Sequence, residues 1–97
     1  MALKIKWSKR ADNSFDNIID YLHAEWGEQV VQAFVRKTYD FLEILAEFPE
    51  IVSMQVQDKA IRGFVLITQV IVFYKVQGSS IILIDFFDTR QDPKKKE

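Results

Sequence analysis

No cysteine occurs in this sequence, and glycine (3), proline (2) and histidine (1) are all scarce. Without cysteine there is neither a disulfide framework nor a thiolate metal centre, and the setting expected for such a chain is the cytoplasm. No cofactor and no metal are expected. No apolar run approaches the ~18–20 residues of a membrane span. The first residues hold no apolar h-region of a signal peptide, so no membrane is expected among the partners. No linker and no internal repeat interrupt the chain, and residues 1–97 read as a single domain.

What is present is apolar and patterned. Hydrophobic residues make up 48% of the sequence, the composition of a compact globular protein. Residues 60–88 contain three apolar runs, Ile61–Ile67, Val70–Val76 and Ile81–Phe87, separated by breaks at Thr68-Gln69 and around Gly78-Ser79. Branched and aromatic side chains dominate them, which suits a pleated surface, and Gly78 can take the positive φ of a tight hairpin turn. A three-stranded antiparallel meander is expected. A sheet with one wet face alternates apolar and polar residues. Here Val70, Val72, Tyr74 and Val76 oppose Ile71, Phe73 and Lys75, and Ile82, Ile84 and Phe86 oppose Ile81, Leu83, Asp85 and Phe87. Both faces are mainly apolar, so both need cover.

Before the meander, Leu3, Ile5 and Trp7 alternate with Lys4 and Lys6, a half-buried strand. Ser8 stands at the N-cap position of a first helix, on which Ala11, Phe15, Ile18, Ile19, Leu22 and Trp26 form the apolar stripe and after which Gly27 forms the cap. A second helix runs from Glu28 to Phe48, with Val31, Phe34, Thr38, Phe41, Leu42, Leu45 and Phe48 on its stripe and Pro49 as its stop. Trp7 and Trp26 are expected to close the two ends of the core. Segment 50–59 reads either as a short edge strand or as a loop. The expected fold is α+β in two layers, β-α-α-β-β-β, a helical hairpin on an antiparallel sheet. One hairpin covers one face, so the other is expected to meet a second chain.

Charge is unevenly placed. Residues 1–10 carry four positive and no negative charges, residues 11–50 two positive and nine negative, and residues 51–97 seven positive and five negative. An acidic helical layer repels phosphate, which confines any nucleic-acid contact to Lys4, Lys6, Arg62, Lys75, Arg90 and the tail Lys94–Lys96.

The order of these elements and several residues resemble the RelE/ParE toxin superfamily of bacterial toxin–antitoxin pairs. The resemblance rests on Trp7-Ser8, Tyr21-Leu22 with Trp26-Gly27-Glu28, Leu45-Ala46 with Phe48-Pro49, Ile61-Arg62 with Phe64, Val72-Phe73-Tyr74-Lys75-Val76 and Asp88-Thr89-Arg90-Gln91-Asp92-Pro93. It implies a two-layer fold in which the N-terminal strand lies beside the C-terminal one, and a cognate antitoxin whose segment wraps the toxin.

The superfamily divides into two activities. RelE-like members resemble metal-independent endoribonucleases that cut mRNA on the ribosome, which requires a base, a cation at the phosphorane and an acid. Their meander arginine precedes a Tyr-x-Val, and setting that pattern on Tyr74-Lys75-Val76 puts Ile71 at the arginine's place. Arg90 matches their second arginine, while the terminal tyrosine or histidine has no counterpart after Asp88. His23 lies in mid-helix and reads as a surface residue.

ParE-like members resemble the same scaffold without nuclease residues and act by binding DNA gyrase. Ile61-Arg62-x-Phe64 and Phe73-Tyr74-Lys75-Val76 are closer to that branch. The resemblance therefore implies a non-enzymatic toxin of a plasmid stabilization system that inhibits gyrase and is neutralised by its antitoxin. A ribosome-dependent mRNA endoribonuclease and an inactive family member are the alternatives. No catalytic residue is assigned. The candidates for partner or target binding are Arg62, Lys75, Asp88, Arg90 and Gln91.

Each candidate also has a plain structural reading. Arg62 would cap a sheet edge, Lys75 would complete a cross-strand pair, and Asp88 would bond a turn backbone. Tyr74 reads as a core residue with a satisfied hydroxyl. A homodimer is a further way of covering the second face.

Overall fold

Ser8 is where the first strand becomes the first helix. In a computed structural model describing residues 2–50, 54–56 and 61–89, strand β1 (Lys4–Trp7) leads into helix α1 (Lys9–Trp26). The Ser8 hydroxyl accepts from the Ala11 N–H at 3.0 Å and donates to the Ile84 carbonyl at 3.1 Å. Its own N–H donates to the Leu83 carbonyl at 3.1 Å. One side chain thus caps the helix and fixes it to the sheet. Ser8→Ala should cost about 1 kcal/mol, the usual loss of a helix N-cap, read from the urea midpoint at unchanged m-value. A change of only a few tenths would mean that water replaces the hydroxyl at both contacts.

Helix α2 (Glu28–Glu47) follows after Gly27, whose φ of +94° favours glycine. The Gly27 N–H donates to Leu22 and His23 carbonyls at 3.2 and 3.1 Å, closing the end of α1. The helix ends one residue before the expected Phe48, whose N–H still bonds the Ile44 carbonyl at 2.9 Å. The sheet comprises β2 (Met54–Val56), β3 (Ile61–Ile67), β4 (Val70–Gln77) and β5 (Ser80–Asp88) together with β1, in the order β1-β5-β4-β3-β2. Of the two readings for segment 50–59, the edge strand holds at Met54–Val56. The meander β3-β4-β5 is antiparallel as expected, and β1 joins β5 in parallel, which makes the whole sheet mixed. At the hairpin between β4 and β5, Gly78 has φ +62°.

The core lies between the helical hairpin and one face of the sheet. Ala11, Ile18 and Leu22 of α1 and Phe34, Thr38, Phe41, Leu42 and Leu45 of α2 are buried against Leu66, Val70, Val72, Tyr74, Ile81, Leu83 and Phe86. Aromatic rings bind the layers. Phe41 stacks on Phe64 with centroids 4.1 Å apart, and Trp7 stacks on Phe86 at 5.3 Å while meeting the edge of Phe15 at 5.2 Å. Offset and edge contacts of this kind add to the burial term. The buried Thr38 hydroxyl donates to the Phe34 carbonyl at 2.8 Å, so it costs the core no unmet polar group.

Three expectations from the stripes need correction. Trp26 is 59% exposed and Phe48 63% exposed, so neither closes the core. Both sit at helix ends, where the apolar period runs on past the last residues that the sheet buries. Val76 shares a row with buried Val72 and Tyr74 yet is 37% exposed, because it lies close to the Gly78-Ser79 turn. The third correction concerns β5. Its register against β4 runs from Tyr74↔Leu83 to Phe73↔Asp85, leaving Ile84 as an extra residue. This bulge reverses the alternation. Ile81 and Leu83 face the helices before it, and Phe86 and Asp88 are buried after it, while Phe87 turns outward. The bulge coincides with the end of β1, where Ser8 takes the Leu83 and Ile84 carbonyls.

Candidate functional site

Helices cover only one face of the sheet, and the register shows what the other carries. Lys6 pairs with Ile82, and Ile82 with Lys75, so Lys6, Ile82 and Lys75 form one row across β1, β5 and β4. With strands ~4.8 Å apart, the two lysines stand about 10 Å from each other. The next row toward the β4–β5 turn holds Lys4, Ser80 and Gln77. In the opposite direction, Phe73 pairs with Gly63, and Val65, Ile71 and Phe87 form a row across β3, β4 and β5. Val65 is 56% exposed. The outward face is therefore basic at one end and apolar at the other.

Of the five residues singled out in the sequence, the three that are described, Arg62, Lys75 and Asp88, do not converge. Lys75 is on this outward face. Arg62 pairs with Tyr74 in register and so belongs to the opposite, helix-facing side, with its charge acting on the Tyr74 hydroxyl. Asp88 is buried at the far end of β5, paired with Val70. Four residue steps along β4, from Val70 to Tyr74, separate that row from the Arg62 row, about 13 Å along the strand. Arg90 and Gln91 lie outside the described residues, as do Asp92, Pro93 and the lysine tail.

Tyr74 has the structural role read for it. It is fully buried, and its hydroxyl donates to the Pro49 carbonyl at 3.2 Å. Burial pushes its pKa above 10.0, and the Arg62 charge offsets part of that rise. The phenol is neutral at physiological pH and is committed as a donor. It is poorly placed as a base.

Two features escaped the sequence reading. The Ser14 hydroxyl donates to Asp85 Oδ1 at 2.6 Å, and Arg10 Nε lies 3.2 Å from Asp85 Oδ2, so α1 grips β5 beside its bulge. The exposed Arg10 makes that ion pair a weak contributor, and the hydroxyl contact is the better placed of the two. The second feature is a groove of about 350 Å³ between β1 and α2, lined by Ile5, Trp7, Tyr39, Asp40, Leu42, Glu43 and Ala46. Tyr39 lies off the helical stripe. An exposed aromatic on a helix whose neighbouring face packs on a short edge strand was the available signal.

Among the described residues no group of three or more His, Asp or Glu is placed to hold a metal, and no helix is long and apolar enough to cross a membrane.

A family model for the ParE toxin of the type II toxin–antitoxin system parDE matches residues 5–93. Among solved structures, the chain is similar to one from the chromosomal ParDE toxin–antitoxin system of P. aeruginosa, with a TM-score of 0.75 at 16% identity over 90% of this chain and 96% of that one. It is also similar to a copper-bound mutant toxin from Helicobacter pylori, with a TM-score of 0.59 at 15% identity over 92% and 97% of the two chains. At these identities the structures speak for the fold. None of the curated proteins matches.

Proposed function

The chain belongs to the ParE toxin family of type II toxin–antitoxin systems, and from that premise we propose that it acts by binding and inhibiting DNA gyrase in the cytoplasm and that a cognate antitoxin neutralises it. Plasmid stabilization is the role such a pair would serve. The observation that carries a binding mechanism over a nuclease is the position of Ile71. It stands in an apolar row between Val65 and Phe87 on the sheet face away from the helices, where the RelE-like pattern would set a catalytic arginine. An apolar side chain there offers nothing to a phosphorane and much to a protein surface. A partner seated on this face removes Val65, Ile71 and Phe87 from water at ~25 cal/mol per Å² of apolar area, and its acids meet Lys6 and Lys75.

Two assays test the mechanism. Purified protein added to gyrase and relaxed plasmid should abolish supercoiling, and the product of the adjacent gene should restore it. The same protein in a translating extract should leave mRNA intact. Codon-phased cleavage that disappears in Arg90→Ala, with supercoiling untouched, would replace gyrase by the ribosome as the target. Val65→Asp should weaken gyrase inhibition at least tenfold with little change in stability, because it charges an exposed position of the apolar row.

A further inference from the structure

Helix α2 carries a second stripe that the core does not use. Its buried residues, Phe34, Thr38, Phe41, Leu42 and Leu45, pack against the sheet. On its exposed side Val30, Ala33, Lys37, Asp40, Ile44 and Glu47 follow one another at steps of three and four. That is heptad spacing, the pattern by which one helix meets another along a narrow seam. Arg36 and Glu43 flank the seam, and the exposed Phe48 closes its end. Among the described residues no ion pair engages Arg36, Lys37, Asp40 or Glu43.

The seam is complementary to itself in one orientation. With two copies of α2 antiparallel and centred between Thr38 and Tyr39, Lys37 lies opposite the partner's Asp40 and Ala33 opposite the partner's Ile44. Val30 lies opposite the partner's Glu47, and beside the seam Arg36 meets the partner's Glu43. Two-fold symmetry repeats every one of these contacts. The small Ala33 leaves the space that an Ile44 side chain fills, and the charged layers in the middle fix the register, as a polar residue at a seam position does in coiled coils. A parallel pair would set Lys37 against Lys37 and Asp40 against Asp40, and like charges brought together oppose association. The outward sheet face offers a second copy no such match, because Lys4, Lys6 and Lys75 stand in rows that contain no acid.

We propose that two copies of this chain associate through α2 in this antiparallel register. The seam from Val30 to Glu47 is about 26 Å long at 1.5 Å per residue. One helix pair with charged central layers is a small interface, below about 1,200 Å² in total, so the dimer is reversible and depends on concentration. Its ion pairs are open to solvent at the rim, so salt weakens it. The helices cover the sheet face opposite the Val65–Ile71–Phe87 row, so each copy keeps that row free. The assignment is therefore independent of the target proposed above.

Sedimentation of the whole chain over roughly 1 μM to 1 mM should show a monomer–dimer equilibrium that salt shifts toward monomer. Lys37→Asp and Asp40→Lys, both at exposed positions, should each weaken dimerisation about tenfold or more. Together they should restore it to within about threefold, because the central layers are then reversed instead of broken. The chain has no cysteine of its own, so Ala33→Cys and Ile44→Cys report the register. A mixture of these two variants should form a disulfide-linked dimer under mild oxidation. Either variant alone should not, since like positions lie about 16 Å apart along the axis, beyond the reach of a disulfide. A monomer at every concentration, a dimer indifferent to both charge reversals, or ready cross-linking of Ala33→Cys with itself would each overturn the proposal.

Discussion

Phe34→Ala should lower the unfolding free energy by about 3–5 kcal/mol, the range for an aromatic removed from a core. Phe34 is 3% exposed and stacks on Phe15 with centroids 5.5 Å apart. Phe15 in turn meets Phe86 at 5.0 Å and Trp7 at 5.2 Å, so the ring connects α2 through α1 to β5 and β1. Removing it leaves a void at the junction of both layers. A domain of this size is stable by about 5–15 kcal/mol, so the loss takes a large share of the total. Urea unfolding of Phe34→Ala beside Trp26→Ala and Phe48→Ala provides the comparison. The two exposed aromatics should each change stability by about 0.5 kcal/mol or less. A loss below about 1 kcal/mol for Phe34→Ala would mean that the hairpin does not pack by this stripe.

Tyr74→Ala should cost a similar 3–5 kcal/mol, whereas Tyr74→Phe should cost only about 1 kcal/mol, the net worth of one hydrogen bond. The difference follows from the geometry. The ring is fully buried in the middle of β4 beside Phe41, and the hydroxyl holds the Pro49 carbonyl just after α2. The ring therefore carries packing, and the hydroxyl fixes where the chain leaves the helical hairpin. The pH dependence has a definite sign. Burial raises the folded-state pKa above the ordinary 10.0, so the protonated phenol is favoured by folding. This contribution is fully present below pH 10 and is lost as pH rises from there through the folded pKa, because the unfolded chain ionises first. Tyr74→Phe should accordingly show a shallower alkaline loss of stability than the parent chain. Equal alkaline slopes would mean that the hydroxyl is solvated.

Much of the architecture was legible because it rests on local rules. The Ser8 cap, the Gly27 turn, the Pro49 stop and the three apolar runs each follow from backbone chemistry or periodicity within a few residues, and all stand where the sequence puts them. The ParE family was legible on the same motifs. The apolar character of both sheet faces could also be read, since strand parity assigns residues to faces as long as the strand is regular. That condition fails at Ile84. A bulge is a property of the pairing between strands, and nothing within Ile81–Phe87 marks it. Burying Phe86 and Asp88 and turning Phe87 outward was decided only when β1 ended and Ser8 took the carbonyls of Leu83 and Ile84.

The candidate site was less legible for the same reason. Lys75 could be assigned to the face opposite Tyr74 from alternation alone. Arg62, one strand away, falls on the helix side because its register partner is Tyr74, and cross-strand register depends on the turn and on a second irregularity between Val65 and Ile67. The groove joins Ile5 and Trp7 to Tyr39, more than thirty residues later, and no local pattern links them. By itself, then, the sequence determined which elements form and which residues are apolar, because propensity, capping and period are local. Only the tertiary structure decided which side chains share a face, where β5 bulges and which helix-end aromatics stay exposed, because those depend on what lies opposite.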